Sequence, residues 1–291
     1  MDYSEYTSGN TKVSEYMVPM TDGVSLKVID FNPGKSDGEK PSVIFIAGWI
    51  SLISGWQGVL KELTADYRTF YIESREKQSS ILPEKTKVSF TMERIREDIS
   101  NLVDKLIPEN KKFVLAGSSL GASAILEFCA SGKRKPVCVI LVGPNEEFRF
   151  PKFLGAIIPL IPPAMYFAVR PIIKWYLRNF RLDKKKERAQ VEKYEKTINL
   201  ADPYKLKANA LALKNYSILN RIKNITTPCL IFGATSDKLH STGNMKRLIE
   251  LIPEVQYIEL ASNSDTHSEK AGRIMVDYLG QREYRNFSSR V

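Results

Sequence analysis

Lys112-Phe113-Val114-Leu115-Ala116-Gly117-Ser118-Ser119-Leu120-Gly121-Ala122-Ser123-Ala124-Ile125-Leu126 decides how the rest of this chain is read. A short apolar run of β type ends at Gly117, and helix-forming residues begin right after Gly121. Between them stands Gly117-Ser118-Ser119-Leu120-Gly121, a G-x-S-x-G pattern. It describes a turn so tight that its central serine is forced into a strained backbone conformation. Side chains at the flanking positions would collide with the neighbouring strand or helix, hence the glycines. The pattern predicts a Ser119 hydroxyl exposed at the carboxyl end of a parallel strand, with a helix N-terminus behind it.

Outward from this turn the chain alternates strands and helices. Residues 13–20 and 24–31 alternate apolar and polar around Asp22-Gly23 and predict an antiparallel hairpin at a sheet edge. Apolar runs at 42–47 and 137–142 predict strands buried on both faces, and further strands are expected at 68–72 and 229–233. Helices are expected over about 55–63, 91–106, 242–251 and 268–279, with a further strand at 255–260. This rhythm means an α/β fold with a mostly parallel central sheet flanked by helices.

The rhythm breaks between 145 and 224, where nothing reads as a buried strand. Phe153 to Val169 carries no charge but is interrupted by Pro159, Pro162 and Pro163, which rules out a comfortable membrane span. Two short helices are expected there, the second amphipathic with Arg170, Lys174, Arg178 and Arg181 on it. The expected organisation is a core of residues 1–144 and 225–291 with a helical insert at 145–224.

Composition bounds the function. The chain has 291 residues, 43% hydrophobic and 26% charged, the balance of an ordinary water-soluble α/β domain. Cys129, Cys138 and Cys229 lie in or beside apolar runs without paired spacing and read as buried free thiols. With only His240 and His267, and no cysteine cluster, neither a metal site nor a cofactor is expected. Met1 to Glu5 is polar and lacks the apolar segment of a signal peptide, so a cytoplasmic location is the expectation. Net charge is +10, and the stretch from Arg170 to Lys196 carries ten basic and four acidic residues.

A serine hydroxyl is a poor nucleophile at neutral pH and needs a base held by a carboxylate. Scarcity picks the base. His267 follows the last strand in the polar loop 261–267, whereas His240 reads as a surface or packing residue. The acid is Asp237, in Gly233-Ala234-Thr235-Ser236-Asp237, just beyond the strand at 229–233. Glu146 is the alternative acid, and Asp265 stands too close to His267 in sequence. A tetrahedral oxyanion also needs two fixed N–H donors. Leu120 offers one from the helix N-terminus, and the loop after strand 42–47 offers the other, the backbone of Trp49. All three triad members are expected at the carboxyl ends of adjacent parallel strands.

With its Ser119…Asp237…His267 order, the chain resembles the α/β-hydrolase superfamily over roughly residues 20–280, in the lid-bearing serine esterase and lipase branch. It departs from the family pattern in places. Ala47-Gly48-Trp49 stands where His-Gly is frequent, and Ser118 where the elbow often has His. Glu73-Ser74-Arg75-Glu76-Lys77-Gln78-Ser79-Ser80 replaces D-x-R-G-x-G-x-S and loses both glycines. The resemblance implies that the insert caps the site. With Phe153, Ile157, Leu160, Met165 and Phe167 in it, that cap favours a small-molecule ester with an apolar acyl group. The implied activity is that of a carboxylesterase or monoacylglycerol lipase. Thioester or amide hydrolysis and acyl transfer use the same parts, and a non-catalytic protein of this fold binding an apolar ligand is the rival from another class. The basic flank of the cap suggests peripheral contact with an anionic membrane, while no nucleic-acid motif accompanies the charge.

Overall fold

Val43, Ile44, Phe45 and Ile46 are all buried because the strand they form lies inside a sheet covered on both faces. The computed structural model describes residues 2–34, 40–84, 87–131, 134–148, 158–176, 178–179, 188–235 and 242–288. Among these, eight strands form one sheet: β1 (Lys12–Pro19), β2 (Ser25–Asn32), β3 (Ser42–Ile46), β4 (Thr69–Glu73), β5 (Phe113–Ser118), β6 (Val139–Val142), β7 (Cys229–Ala234) and β8 (Val255–Leu260). Their order is β1-β2-β4-β3-β5-β6-β7-β8. β1 and β2 run antiparallel at one edge, as the Asp22-Gly23 turn predicts, and β4 through β8 are mutually parallel with β3.

Helices cover both faces. On one side lie α2 (Met92–Leu106), α3 (Leu120–Ser131) and α7 (Thr242–Leu251), which bury Ile95, Ile99, Leu102, Ile125 and Leu248 against the sheet. On the other lie α1 (Gln57–Asp66) and α8 (Glu269–Ser288), joined through Val59, Leu63, Ala271 and Met275. Between β6 and β7 come α4 (Tyr166–Tyr176), α5 (Arg188–Leu200) and α6 (Pro203–Leu213). α4 carries Arg170 and Lys174, as expected of the amphipathic helix. Phe153 to Ile157, Arg181, His240 and the candidate acid Asp237 lie outside the described residues.

One expectation is corrected by the strand order. β6 lies between β5 and β7, so the strand before Ser119 is not the neighbour of the strand before Asp237. The cysteines are free, and burial pushes the Cys129 and Cys138 thiols up to about 12, which leaves them inert as nucleophiles. Among the described residues no helix is long and apolar enough to cross a membrane, and no cluster of ligating side chains suits a metal ion.

The loop after β4 is tied down by Arg75, whose fully buried guanidinium takes both oxygens of Asp98 at 2.6 Å. It also donates to Asp22 at 2.9 Å and to the Ser89 carbonyl at 2.7 Å. This fork joins the β1–β2 turn, the β4 loop and α2. Removing one partner from a buried pair leaves the other charge desolvated, a loss of about 3 kcal/mol. Asp98→Ala should therefore lower the urea midpoint by an amount equal to about 3 kcal/mol, with the slope of the transition unchanged.

Candidate active site

Ser119 sits at φ 45°, a left-handed conformation that a residue with a side chain adopts only under constraint. The constraint is visible on both sides of it. Its N–H donates to Val142 O at 2.9 Å, and its carbonyl accepts from Ser123 N at 2.9 Å. A Cβ at Gly121 would stand 2.1 Å from Ile46 O, so α3 approaches the end of β3 closer than any side chain permits. The result is the predicted one: a half-buried Ser119 between β5 and α3, with its hydroxyl accepting from Asn145 Nδ2 at 3.3 Å.

The loop after β3 reaches the same point. A Cβ on Gly48 would meet Ser119 Cβ at 3.2 Å, and Gly48 N–H donates to Ser118 Oγ at 2.8 Å. Ser118 thus holds the loop from the position where relatives often have His. Gly48 O accepts from Ser51 N at 3.0 Å and from the ammonium of Lys77. Two residues on, Ile50 adopts φ 50°, a genuine outlier for a β-branched residue. Leu120 is buried at the start of α3, where the first amides have no partner inside the helix.

His267 lies in the turn Asp265–His267 between β8 and α8, half-buried. Its ring packs on Trp56 with centroids 4.0 Å apart, and Trp56 in turn packs edge-on against Phe45 of β3. Nδ1 lies 2.8 Å from Asn263 O and 3.0 Å from Thr266 Oγ1. A carbonyl can only accept, so the proton sits on Nδ1 and Nε2 carries the lone pair that a base needs. Asp265 instead accepts from Ser262 N and Oγ, at 2.9 and 2.8 Å. Glu146, the alternative acid, is fully buried and pairs with Arg247 at 3.2 Å.

Sequence reasoning missed Asn145, Trp56, Asn263 and Lys77. Asn145 had a findable signal, since it follows Gly143-Pro144 at the carboxyl end of β6, the strand beside β5. Lys77 is 6% exposed, and burial holds its ammonium below the ordinary lysine range while Glu76 and Glu73 pull it back up. A cavity of about 330 Å³ lies against this loop, lined by Tyr6, Ile50, Ile53, Lys77, Thr197 and Leu200.

The family model described as serine aminopeptidase, S33, matches residues 83–261. Among solved structures, the chain is similar to a thermophilic esterase from Thermogutta terrifontis, with TM-score 0.74 at 17% identity, over 94% of this chain and 99% of that one. An enol-lactonase from Burkholderia xenovorans LB400 superposes with TM-score 0.74 at 18% identity, over 91% and 100%. An esterase from Exiguobacterium antarcticum gives 0.72 at 17% identity, over 92% and 100%. At such identities these likenesses concern the fold alone. No curated protein sequence matches the chain significantly.

The approach of α3 to β3 makes a sharp prediction. A methyl at Gly121 meets backbone that nothing can move aside, whereas one at Gly280, late in α8, meets nothing within 4 Å. Gly121→Ala should cost about 3 kcal/mol or more. Gly280→Ala should be neutral or stabilising by up to about 1 kcal/mol. Thermal melts of the two variants beside the parent read both.

Proposed function

We propose that this chain, which belongs to the serine aminopeptidase S33 family of α/β-hydrolases, hydrolyses carboxylic esters with apolar acyl groups through an acyl-enzyme on Ser119. The observation that carries this reading is the strained, half-exposed Ser119 between β5 and α3, whose hydroxyl oxygen accepts from Asn145. In the proposed reaction Ser119 Oγ attacks the carbonyl carbon and its proton passes to His267 Nε2. The tetrahedral oxyanion takes hydrogen bonds from the Trp49 and Leu120 N–H groups. Collapse expels the alcohol, which receives the proton from His267. Water then attacks the acyl group by the same steps in reverse order, releasing the acid and Ser119. Asp237 is the proposed carboxylate partner of the imidazole, accepting the Nδ1–H that Asn263 O takes in this structure.

An apolar acyl group is favoured by Tyr6, Ile50, Ile53 and Leu200 in the neighbouring cavity, whose lining also includes Glu73, Glu76 and Lys77. The test is a series of p-nitrophenyl esters from acetate to palmitate beside aminoacyl p-nitroanilides, which the family's description as aminopeptidase makes the fair competitor. Turnover should peak at a medium or long acyl chain and exceed that of every anilide. Ser119→Ala should lower kcat at least about a thousandfold. Turnover of anilides alone, or esterase activity that survives in Ser119→Ala, refutes the reading.

Such a substrate is delivered at an anionic lipid surface, and one observation favours this part. Leu160, Met165, Phe167, Ile172 and Trp175 are 80, 47, 55, 64 and 58% exposed on one segment, with Arg170 and Lys174 among them. Exposed apolar side chains beside cations suit a bilayer carrying negative headgroups, each basic residue contributing about 1 kcal/mol. The protein should sediment with vesicles containing phosphatidylserine and not with neutral ones, and 0.5 M salt (on the order of a 4 Å screening length) should release it. Trp175→Glu should weaken this binding without changing turnover of a soluble short-chain ester.

A further inference from the structure

Lys77 and Lys205 are both 6% exposed, and their ammonium groups tie two successive loops, Lys205 the one after β4 and Lys77 the one after β3. Lys205 Nζ, carried by α6, donates to Lys77 O at 2.8 Å, to Ser80 O at 2.7 Å and to Ser80 Oγ at 2.8 Å. Lys77 Nζ donates to Gly48 O and lies 3.4 Å from Glu76 Oε1. The carbonyl of Gly48 and the N–H of Trp49 belong to a single planar trans peptide, in which they point in opposite directions. A cation holding that carbonyl therefore aims the Trp49 N–H the other way. Gly48 N–H is fixed from the Ser119 side by Ser118 Oγ, and the strained Ile50 follows directly.

Burying two ammonium groups is costly unless each is well partnered. Packing alone gives no reason to spend them here, because a loop with glycine at positions 76 and 78 could be tied by backbone hydrogen bonds. We infer that Lys77 and Lys205 are positioning residues acting in series: Lys205 couples the seating of α6 to the β4 loop, and Lys77 turns the Gly48–Trp49 peptide so that its N–H faces the oxyanion. This rests on the proposed role of Trp49 as an oxyanion donor. Competence of the site then depends on α6 being docked, although α6 touches none of the reacting atoms in the proposed chemistry.

The test uses Lys77→Met and Lys205→Met in the full chain, with Lys207→Met as control. Lys207 lies on the same helix but ties Pro159 O and Ile161 O at 2.9 and 2.8 Å, away from the loop. Asn209 Nδ2 still donates to Phe90 O at 3.0 Å and Leu213 stays buried, so α6 keeps its seat without Lys205. A misaimed donor is worth a fraction of the roughly hundredfold or more that losing one brings. Lys77→Met and Lys205→Met should therefore lower kcat for a p-nitrophenyl ester by about tenfold to a hundredfold, with KM within about threefold. A trifluoromethyl ketone, whose adduct carries the oxyanion, should weaken by the same factor as kcat. Lys207→Met should leave both unchanged.

A purely structural role predicts another pattern: lower melting temperature, with kcat per folded molecule and inhibitor affinity retained. That result, in either lysine variant, overturns the inference. If Lys77→Met does not fold, Lys205→Met decides alone. A parent protein that hydrolyses esters while the lysine variants match it refutes the relay only. A parent that turns over no ester refutes the proposed function and the relay together.

Discussion

The contact on which the site depends is the one between α3 and the end of β3. With a Cβ at Gly121 2.1 Å from Ile46 O, the helix behind the elbow lies directly against the strand whose loop supplies Gly48 and Trp49. Ser118 then reaches Gly48 N–H, and Ser119 is forced to positive φ, with its amide on Val142 of β6. Three strands and one helix thus meet within a few residues. Their parallel order leaves the loops after β3, β5 and β6 on a common edge. Strain of order 1–3 kcal/mol at Ser119 persists because each of these neighbours over-determines it.

The sheet was legible because strands buried on both faces have no choice of residue type. The runs at 43–47, 137–142 and 229–233 carry no polar side chain, and β8 and α7 fall at the expected residues. α5 and α6 were not legible as such. Their residues serve neighbours that fold brings from elsewhere, as Lys205 does in the β4 loop. One local signal was there: Asp202-Pro203, an N-cap followed by proline at the first helical position. Asp202 indeed accepts from Tyr204 N and Lys205 N. Ser119 and His267 could be named from motif and scarcity. Trp56 and Asn263 could not, since stacking and carbonyl partners of a histidine leave no pattern at fixed spacing.

The departures from the family pattern concentrate where the structure is most polar inside. Glu76 and Gln78 stand in place of two glycines, and Lys77 between them is buried with Glu76 at its side. A loop of glycines can bring its backbone close to a neighbour and satisfy itself. This loop instead turns its carbonyls at 77, 78 and 80 toward one ammonium from α6. The cation replaces what glycine supplied, close approach without a side chain in the way. It adds a dependence on the insert that a glycine loop lacks.

That dependence has a physical sign. Desolvation lowers the pKa of both lysines, so each would shed its proton more readily in the fold than in water. An amine still donates, but it no longer attracts three carbonyl dipoles as a charge does, and the hold on the loop weakens. The protonated form is kept by carbonyls, Ser80 and nearby carboxylates, Glu76 and Glu73 for Lys77, Asp202 and Glu76 for Lys205. Loosening any of them is felt at the next cation along, and the last acceptor in the series is Gly48 O, one peptide plane from the Trp49 N–H. Ile50, one residue beyond that plane, is held at φ 50°, a costly conformation for a β-branched residue. In the proposed relay, the two buried ammonium groups hold the peptide plane beside it.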